Sequence, residues 1–283
     1  MRLLKKILKI TGVLFFITLL ILYYLFSSFT TPKSDKKVLD KFENSPVIPA
    51  VTHESFREFK YRKLTIKRDT TLPTIIFVHG TIGSSTDFSK YMKDSLLLSK
   101  ANMISYDRIG YNYQDKNSVQ ESITFERDML QSIIQKENPD KTILVGYSYG
   151  GPITLAIQQK VRKLILLAPA VYSKIEPMPW ALNLYKWKLT RWLVPPVWQE
   201  ASKEKLSHKQ DLQLFENDWK NSPNQIISIH GTDDWIVPYE NSTFLERQFP
   251  KTQFELISIP EAGHGFIWSK FDDIKQLLIQ QLD

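Results

Sequence analysis

The stretch Lys141-Thr-Ile-Leu-Val145-Gly146-Tyr147-Ser148-Tyr149-Gly150, running on into Pro152-Ile-Thr-Leu-Ala-Ile157, decides how this chain is read. Lys141 to Val145 is a short, β-favouring apolar run, and the residues from Pro152 suit a helix. Strand, sharp turn and helix with a serine at the apex make a nucleophile elbow. Such a turn strains the serine backbone and lifts its hydroxyl clear of a sheet. Glycines at both flanks let neighbouring backbone pass close, because they carry no Cβ.

Working outward, Thr74-Ile-Ile-Phe-Val78, Met103-Ile-Ser-Tyr106, Leu164-Ile-Leu-Leu167, Ile226-Ile-Ser-Ile229 and Phe254-Glu-Leu-Ile-Ser-Ile259 are further short runs of the kind expected for buried strands. Helical spacing appears between them. A helix is expected to start near Ser84-Ser-Thr-Asp87, another to cover 122–135, a third to follow the elbow to about Gln159, and a fourth to span Tyr239–Gln248. Phe271, Ile274, Leu277, Leu278 and Leu282 form a closing stripe. Strands alternating with helices predict an α/β fold with a parallel sheet.

Two regions break the alternation. Residues 31–55 are polar, hold Pro32, Pro46 and Pro49, and read as a linker, with the first one or two strands in Phe56–Ile66. Residues 171–222 hold Trp180, Trp187, Trp192, Trp198 and Trp219 among Pro177, Pro179, Pro195 and Pro196. This segment is expected to be a helical cap inserted into a core of residues 56–170 and 223–283. Its rings are expected to fill the cap's apolar interior, the sharper alternative being that some line an acyl pocket or touch a bilayer.

Ile10 to Phe26 contains no charge, and with its apolar flanks the run reaches about the ~20 residues that cross a bilayer as a helix. Residues 1–30 are therefore expected to be a membrane anchor. A cleaved signal peptide is the competing reading, but its apolar region is shorter and ends in a small-residue site, which Ser27-Ser28-Phe29 is not. Arg2, Lys5, Lys6 and Lys9 precede the run and favour a cytoplasmic N-terminus, with the folded part on the other side. They also supply much of the net charge of +7. The remainder carries 33 basic and 30 acidic residues, with no basic block of the kind that binds nucleic acid. The chain has no cysteine, which excludes disulfides, a thiol nucleophile and Cys-based zinc sites.

Four separated motifs lie in order over residues 74–283: Val78-His-Gly-Thr-Ile-Gly-Ser84, Gly146-Tyr-Ser-Tyr-Gly150, His230-Gly-Thr-Asp-Asp-Trp-Ile-Val-Pro238 and Ala262-Gly-His-Gly265. Together they resemble the α/β-hydrolase superfamily in its capped serine esterase/lipase-like branch. That resemblance implies a mostly parallel eight-stranded sheet flanked by helices. It also implies a triad of Ser148 as nucleophile, His264 as base and Asp234 as the acid that orients it. Asp233 is the rival for the last role, one residue away. The backbone N–H groups of Tyr149 and Thr81 are the implied oxyanion donors. His79 is expected to brace its loop, and Asp107-Arg-Ile-Gly-Tyr-Asn112 to hold loops near the site through charge-assisted bonds. Trp235 and Trp268, beside Asp234 and His264, are expected to wall the substrate pocket. The implied activity is cleavage of a hydrophobic acyl ester through an acyl-enzyme, with no metal or organic cofactor and no nucleic-acid partner. An amidase, peptidase, C–C hydrolase or acyltransferase would use the same residues, and a silent binding protein could keep the fold.

Overall fold

The computed structural model describes residues 2–111 and 117–282, so Asn112 of the Asp107 motif lies outside the described residues. Along the chain run α1 (Arg2–Thr30), α2 (Asp35–Asp40), β1 (Ala50–Phe56), β2 (Phe59–Ile66), β3 (Thr74–Val78), α3 (Ser89–Met92), α4 (Ser95–Lys100), β4 (Asn102–Tyr106) and α5 (Ile123–Ile134). They are followed by β5 (Thr142–Tyr147), α6 (Gly150–Leu155), β6 (Lys163–Leu167), α7 (Leu182–Lys186), α8 (Pro196–Gln213), β7 (Ile226–Gly231), α9 (Glu240–Gln248), β8 (Phe254–Ile259), α10 (Phe266–Ser269) and α11 (Phe271–Gln280).

The eight strands form one sheet in the order β1-β2-β4-β3-β5-β6-β7-β8. Pairing is antiparallel for β1–β2 and β2–β4 and parallel from β4 to β8. The central strands β3, β4 and β5 are buried along their whole length, which is why their sequences are continuous apolar runs. Alternate side chains still choose opposite faces. Ile75 and Phe77 pack with Leu97, Leu98, Ile274 and Leu278 of α4 and α11. Ile76 and Val78 pack with Met129, Ile133 and Ile153 of α5 and α6. Burying one such side chain contributes about 1.5–3 kcal/mol, so the two layers hold the sheet rigid beneath the strand ends.

Three differences from the sequence reading have physical causes. The stretch 31–55 is not irregular throughout: it contains α2 and most of β1. β1 is an edge strand that pairs with β2, its residues half-exposed or exposed, so it needs no apolar run. Asp35 of α2 ties this region down by accepting from His53 Nε2 at 2.8 Å and Arg62 Nη1 at 3.1 Å. Second, the helix expected from Ser84 begins at Ser89 and is split into α3 and α4. Asp94 caps α4 by accepting from the N–H groups of Leu96 and Leu97. Third, the segment between β6 and β7 does not bury most of its tryptophans. Trp219 is buried, with Nε1 donating to Val171 O at 3.0 Å, and Trp198 is half-buried. Trp180, Trp187 and Trp192 are 77%, 60% and 72% exposed. Residues 177–193 contain only the five-residue α7 and a three-residue 3-10 turn, Arg191–Leu193. Much of their polar bonding is local, such as Arg191 Nε to Tyr185 O at 2.7 Å and Trp192 Nε1 to Leu189 O at 2.9 Å.

α1 is the outlier in the architecture. Its apolar side chains are exposed, and over Arg2–Ser28 it is long and apolar enough to span a membrane. At 1.5 Å per residue these residues reach about 40 Å. Phe26, near its end, stacks on Trp198 of α8 with ring centroids 5.0 Å apart.

β5 and α6 meet so tightly that a Cβ on Gly146 would lie 2.4 Å from both Gly150 O and Thr154 Oγ1. Gly146→Ala is expected to destabilise the fold by about 1–3 kcal/mol through overpacking. A fall of several degrees in the thermal midpoint would report this; an unchanged midpoint would contradict it.

Candidate active site

Ser148 occupies the turn between β5 and α6 with a φ of +54°. That left-handed value is uncommon outside glycine and is held here by the surrounding backbone. The Ser148 N–H donates to Leu167 O at 2.9 Å, and its carbonyl accepts from Gly151 N–H at 2.9 Å and Ala170 N–H at 3.2 Å. The loop after β3 passes directly over the turn. A Cβ on Gly80 would lie 2.8 Å from Ser148 Cβ and 3.3 Å from Oγ, so only glycine allows this approach.

His264 follows β8, with its ring stacked on Tyr147 at a centroid distance of 5.0 Å. The Tyr147 hydroxyl donates to His264 O at 2.9 Å and fixes the loop. The imidazole reaches Ser148 Oγ through Nε2 at 3.0 Å and Asp234 Oδ2 through Nδ1 at 2.7 Å. An ionised carboxylate only accepts, so the proton sits on Nδ1 and leaves Nε2 to accept from the serine hydroxyl. Asp234 Oδ1 accepts from the N–H groups of Ile236 at 3.0 Å and Val237 at 2.9 Å. Burial pushes the Asp234 carboxyl up. Hydrogen bonds from His230 and His264, electrostatic attraction to the His264 ring and the Val237 N–H outweigh it and hold the group well below the usual carboxylate range. His230 adds a second layer, with Nε2 on Val237 O at 2.9 Å and Nδ1 on Ser242 Oγ at 2.6 Å. Asp233 is exposed and faces Thr232, so the imidazole meets Asp234 rather than its neighbour.

Among the described residues, the N–H groups of Thr81 and Tyr149 donate to no protein group. Both belong to segments that flank Ser148, and free N–H groups there can receive negative charge developing on a bound carbonyl. The loop holding Thr81 is braced. His79 is fully buried, with Nδ1 donating to Gly80 O at 2.7 Å and Nε2 accepting from Arg108 N–H at 3.0 Å. Burial, followed by the Arg108 charge, pushes the His79 pKa well down and keeps the ring neutral. Asp107 accepts from Ser85 N–H at 2.7 Å and pairs with Arg62 at 2.7 Å.

Trp268 packs edge-on to Tyr147 and donates from Nε1 to Asp87 O at 3.1 Å. Trp235 is 81% exposed, in the turn where Asp234 Oδ1 accepts from Ile236 N–H. Among the described residues no three His, Cys, Asp or Glu side chains are grouped as metal ligands would be.

Sequence reasoning missed a contribution from α8. Its buried positions Val197, Ala201, Glu204, His208, Asp211 and Leu212 follow a helical stripe, and three of them are ionisable. Charges inside an apolar stripe were the readable signal. Glu204 Oε2 accepts from Thr81 Oγ1 at 2.6 Å and Tyr111 Oη at 3.0 Å, and Oε1 pairs with Arg108. The His208 ring packs tilted against Tyr149 with centroids 4.5 Å apart, and His208 bonds Glu176 through Nδ1 at 3.0 Å. The segment between β6 and β7 thus touches both Thr81 and Tyr149.

An eight-stranded sheet of this order, with these motifs at the strand ends, is the α/β-hydrolase fold. The model of the alpha/beta hydrolase fold family matches residues 73–201. The chain is 29% identical over 125 residues to a Mycoplasma pneumoniae protein named as a candidate esterase/lipase; that match covers 41% of each chain, so it spans well under half of that relative. Solved structures with the same fold include naproxen esterase of Bacillus subtilis, with a TM-score of 0.62, 15% identity, and 89% of this chain and 99% of that chain covered. Carboxylesterase CesB, also from Bacillus subtilis, gives 0.63 at 15% identity with 87% and 96% covered. The α/β hydrolase MGS-M2, from a Medee basin deep-sea metagenome library, gives 0.63 at 13% identity with 81% and 96% covered. This chain has the α/β-hydrolase fold, and the family model covers its residues 73–201.

Arg108 lies between two buried carboxylates, Glu204 and Glu126, the latter 4.0 Å from Nε, and one guanidinium cannot compensate both. Burial, only partly countered by Arg108, together with repulsion from Glu204, raises the Glu126 carboxyl from 4.5 to about 7. Over that interval the folded protein keeps a proton that the unfolded chain has released, so stability falls as pH rises through it. Glu126→Gln is expected to remove a fall on the order of 3 kcal/mol between pH 5 and 7.5, read from urea unfolding at both values. Equal pH dependence in the two proteins would contradict this assignment.

Proposed function

We propose that this α/β-hydrolase is a membrane-anchored serine hydrolase that cleaves acyl esters through an acyl-enzyme. The observation that carries the proposal is the chain of two hydrogen bonds from Ser148 Oγ through His264 to the Asp234 carboxylate. The esterase and lipase names among its relatives favour an ester over an amide.

In the proposed reaction Ser148 Oγ attacks the acyl carbonyl carbon while its proton passes to His264 Nε2. Asp234 holds Nδ1–H and stabilises the imidazolium by charge. The carbonyl oxygen becomes an oxyanion between the Thr81 and Tyr149 N–H groups, each such donor being worth roughly 3–4 kcal/mol in the transition state. As the intermediate collapses, the alcohol leaves with the proton from Nε2. Water then attacks the acyl-enzyme carbonyl, giving its proton to His264, and the acid departs as the proton returns to Ser148. An intermediate of this kind needs no group outside the chain.

α1 supports the anchored part of the proposal, as an exposed apolar helix of membrane-spanning length. The basic residues before it favour a cytoplasmic N-terminus, which puts the folded part outside the cytoplasm. A site beside lipid suits a hydrophobic acyl substrate.

Ser148→Ala is expected to abolish hydrolysis of a chromogenic ester series, and His264→Ala to lower kcat by roughly 10⁴–10⁶, because triad members act as a unit. Near-normal turnover by either variant would overturn the mechanism. On alkaline carbonate extraction, which strips surface-bound proteins, the full chain is expected to stay with membranes and a chain lacking residues 1–30 to be released. Release of the full chain would contradict the anchor.

A further inference from the structure

Among the described residues outside α1, half of the large apolar side chains that stand exposed lie in residues 177–193. Trp180, Trp187 and Trp192 stand in solvent with Leu189, which is 88% exposed. Single exposed apolar residues are ordinary, but a cluster of indoles marks an interaction surface. Lys186, Lys188 and Arg191 alternate with the rings, and no acidic residue occurs between Glu176 and Glu200. Indole rings beside cations, with no acid, match the chemistry of a phospholipid headgroup layer, where the ring body enters the apolar edge and the cations meet phosphate.

Position supplies the second argument. The patch leads directly into α8, whose first turn carries Trp198, and Trp198 stacks on Phe26 near the end of α1. Gln199, next to Trp198, donates from its side-chain amide to Val194 O at 2.9 Å and Arg191 O at 3.3 Å. The exposed rings therefore sit at the end of α8 where α1 meets the folded part. We infer that residues 177–193 form a second membrane contact, lying on the leaflet from which α1 emerges. This inference rests on the anchored reading of α1. A second copy of the chain is a poorer occupant, because a self-complementary interface would face Lys186 and Lys188 with like charges.

The contact has a consequence for the site. α8, which the patch precedes, carries Glu204 and His208 and so touches Thr81 and Tyr149. Seating the patch on lipid holds that helix, and the residues it touches beside Ser148, at a fixed distance from the bilayer.

All seven tryptophans lie outside α1, so their fluorescence reports the folded part alone. The full chain is reconstituted in vesicles of phosphatidylcholine and phosphatidylglycerol with brominated acyl chains, which quench only rings within the bilayer. Strong quenching is expected in the wild type, with loss of most of it in the Trp180→Ser/Trp187→Ser/Trp192→Ser variant. Lys186→Glu/Lys188→Glu, which keeps every ring, is expected to weaken quenching in anionic vesicles and to leave it little changed in phosphatidylcholine alone. Wild-type-like quenching in the triple variant would overturn the inference. So would no quenching in the wild type, whether or not the triple variant changes oligomeric size in detergent. Carbonate extraction reads α1 independently of the patch, so failure of the anchor and failure of this contact are told apart.

Discussion

Ser148 holds a backbone angle that most residues avoid, and the rest of the site is arranged around keeping it there. Its φ of +54° costs of order 1–3 kcal/mol. The Ser148 N–H donating to Leu167 O, and its carbonyl accepting from Gly151 and Ala170 N–H, tie the turn to the end of β6 and the start of α6. Gly146 and Gly80 let the helix and the overlying loop close on it from both sides. The strain aims Oγ at one place, and the loops after β3, β7 and β8 are built to meet it there. Those loops carry Thr81, Asp234 and His264.

The loops do not stand alone. His79, Arg108 and Asp107 link the loop after β3 to the end of β4, and Glu204 links that same loop to α8. Ile82 adopts a φ of +58°, a costly value for a β-branched residue, and packs beside Val197 at the start of α8. A movement of α8 must therefore break charge-assisted bonds and apolar contacts at Thr81 and Ile82 together. Position and electrostatics of the proposed oxyanion donor are shared between the sheet and the segment between β6 and β7.

The sheet was legible because its central strands are buried on both faces, so Thr74–Val78 and Thr142–Tyr147 are written as continuous apolar runs. β1 was not, because an edge strand needs no such run and shares its polar composition with loops. Ser148, His264 and Asp234 sit in short glycine-containing turns at strand ends, where residue type and position are both constrained by backbone geometry, so each could be named from local sequence. Glu204 and His208 could not, because their partners lie 123 residues away at Thr81 and 32 residues away at Glu176. Trp180, Trp187 and Trp192 do not fill a cap interior, and tryptophan, apolar by type, gives no sign of this in the sequence. Only the fold shows them largely exposed around the short α7.

The central claim is that the hydroxyl of Ser148 is made nucleophilic by the neighbouring imidazole. The most direct measurement is to expose the full chain to a fluorophosphonate and map the adduct by peptide mass spectrometry. The account predicts a single phosphonylated residue, Ser148, and no adduct when the imidazole of His264 has been removed. An unmodified Ser148, or modification of another residue at the same rate, would contradict it.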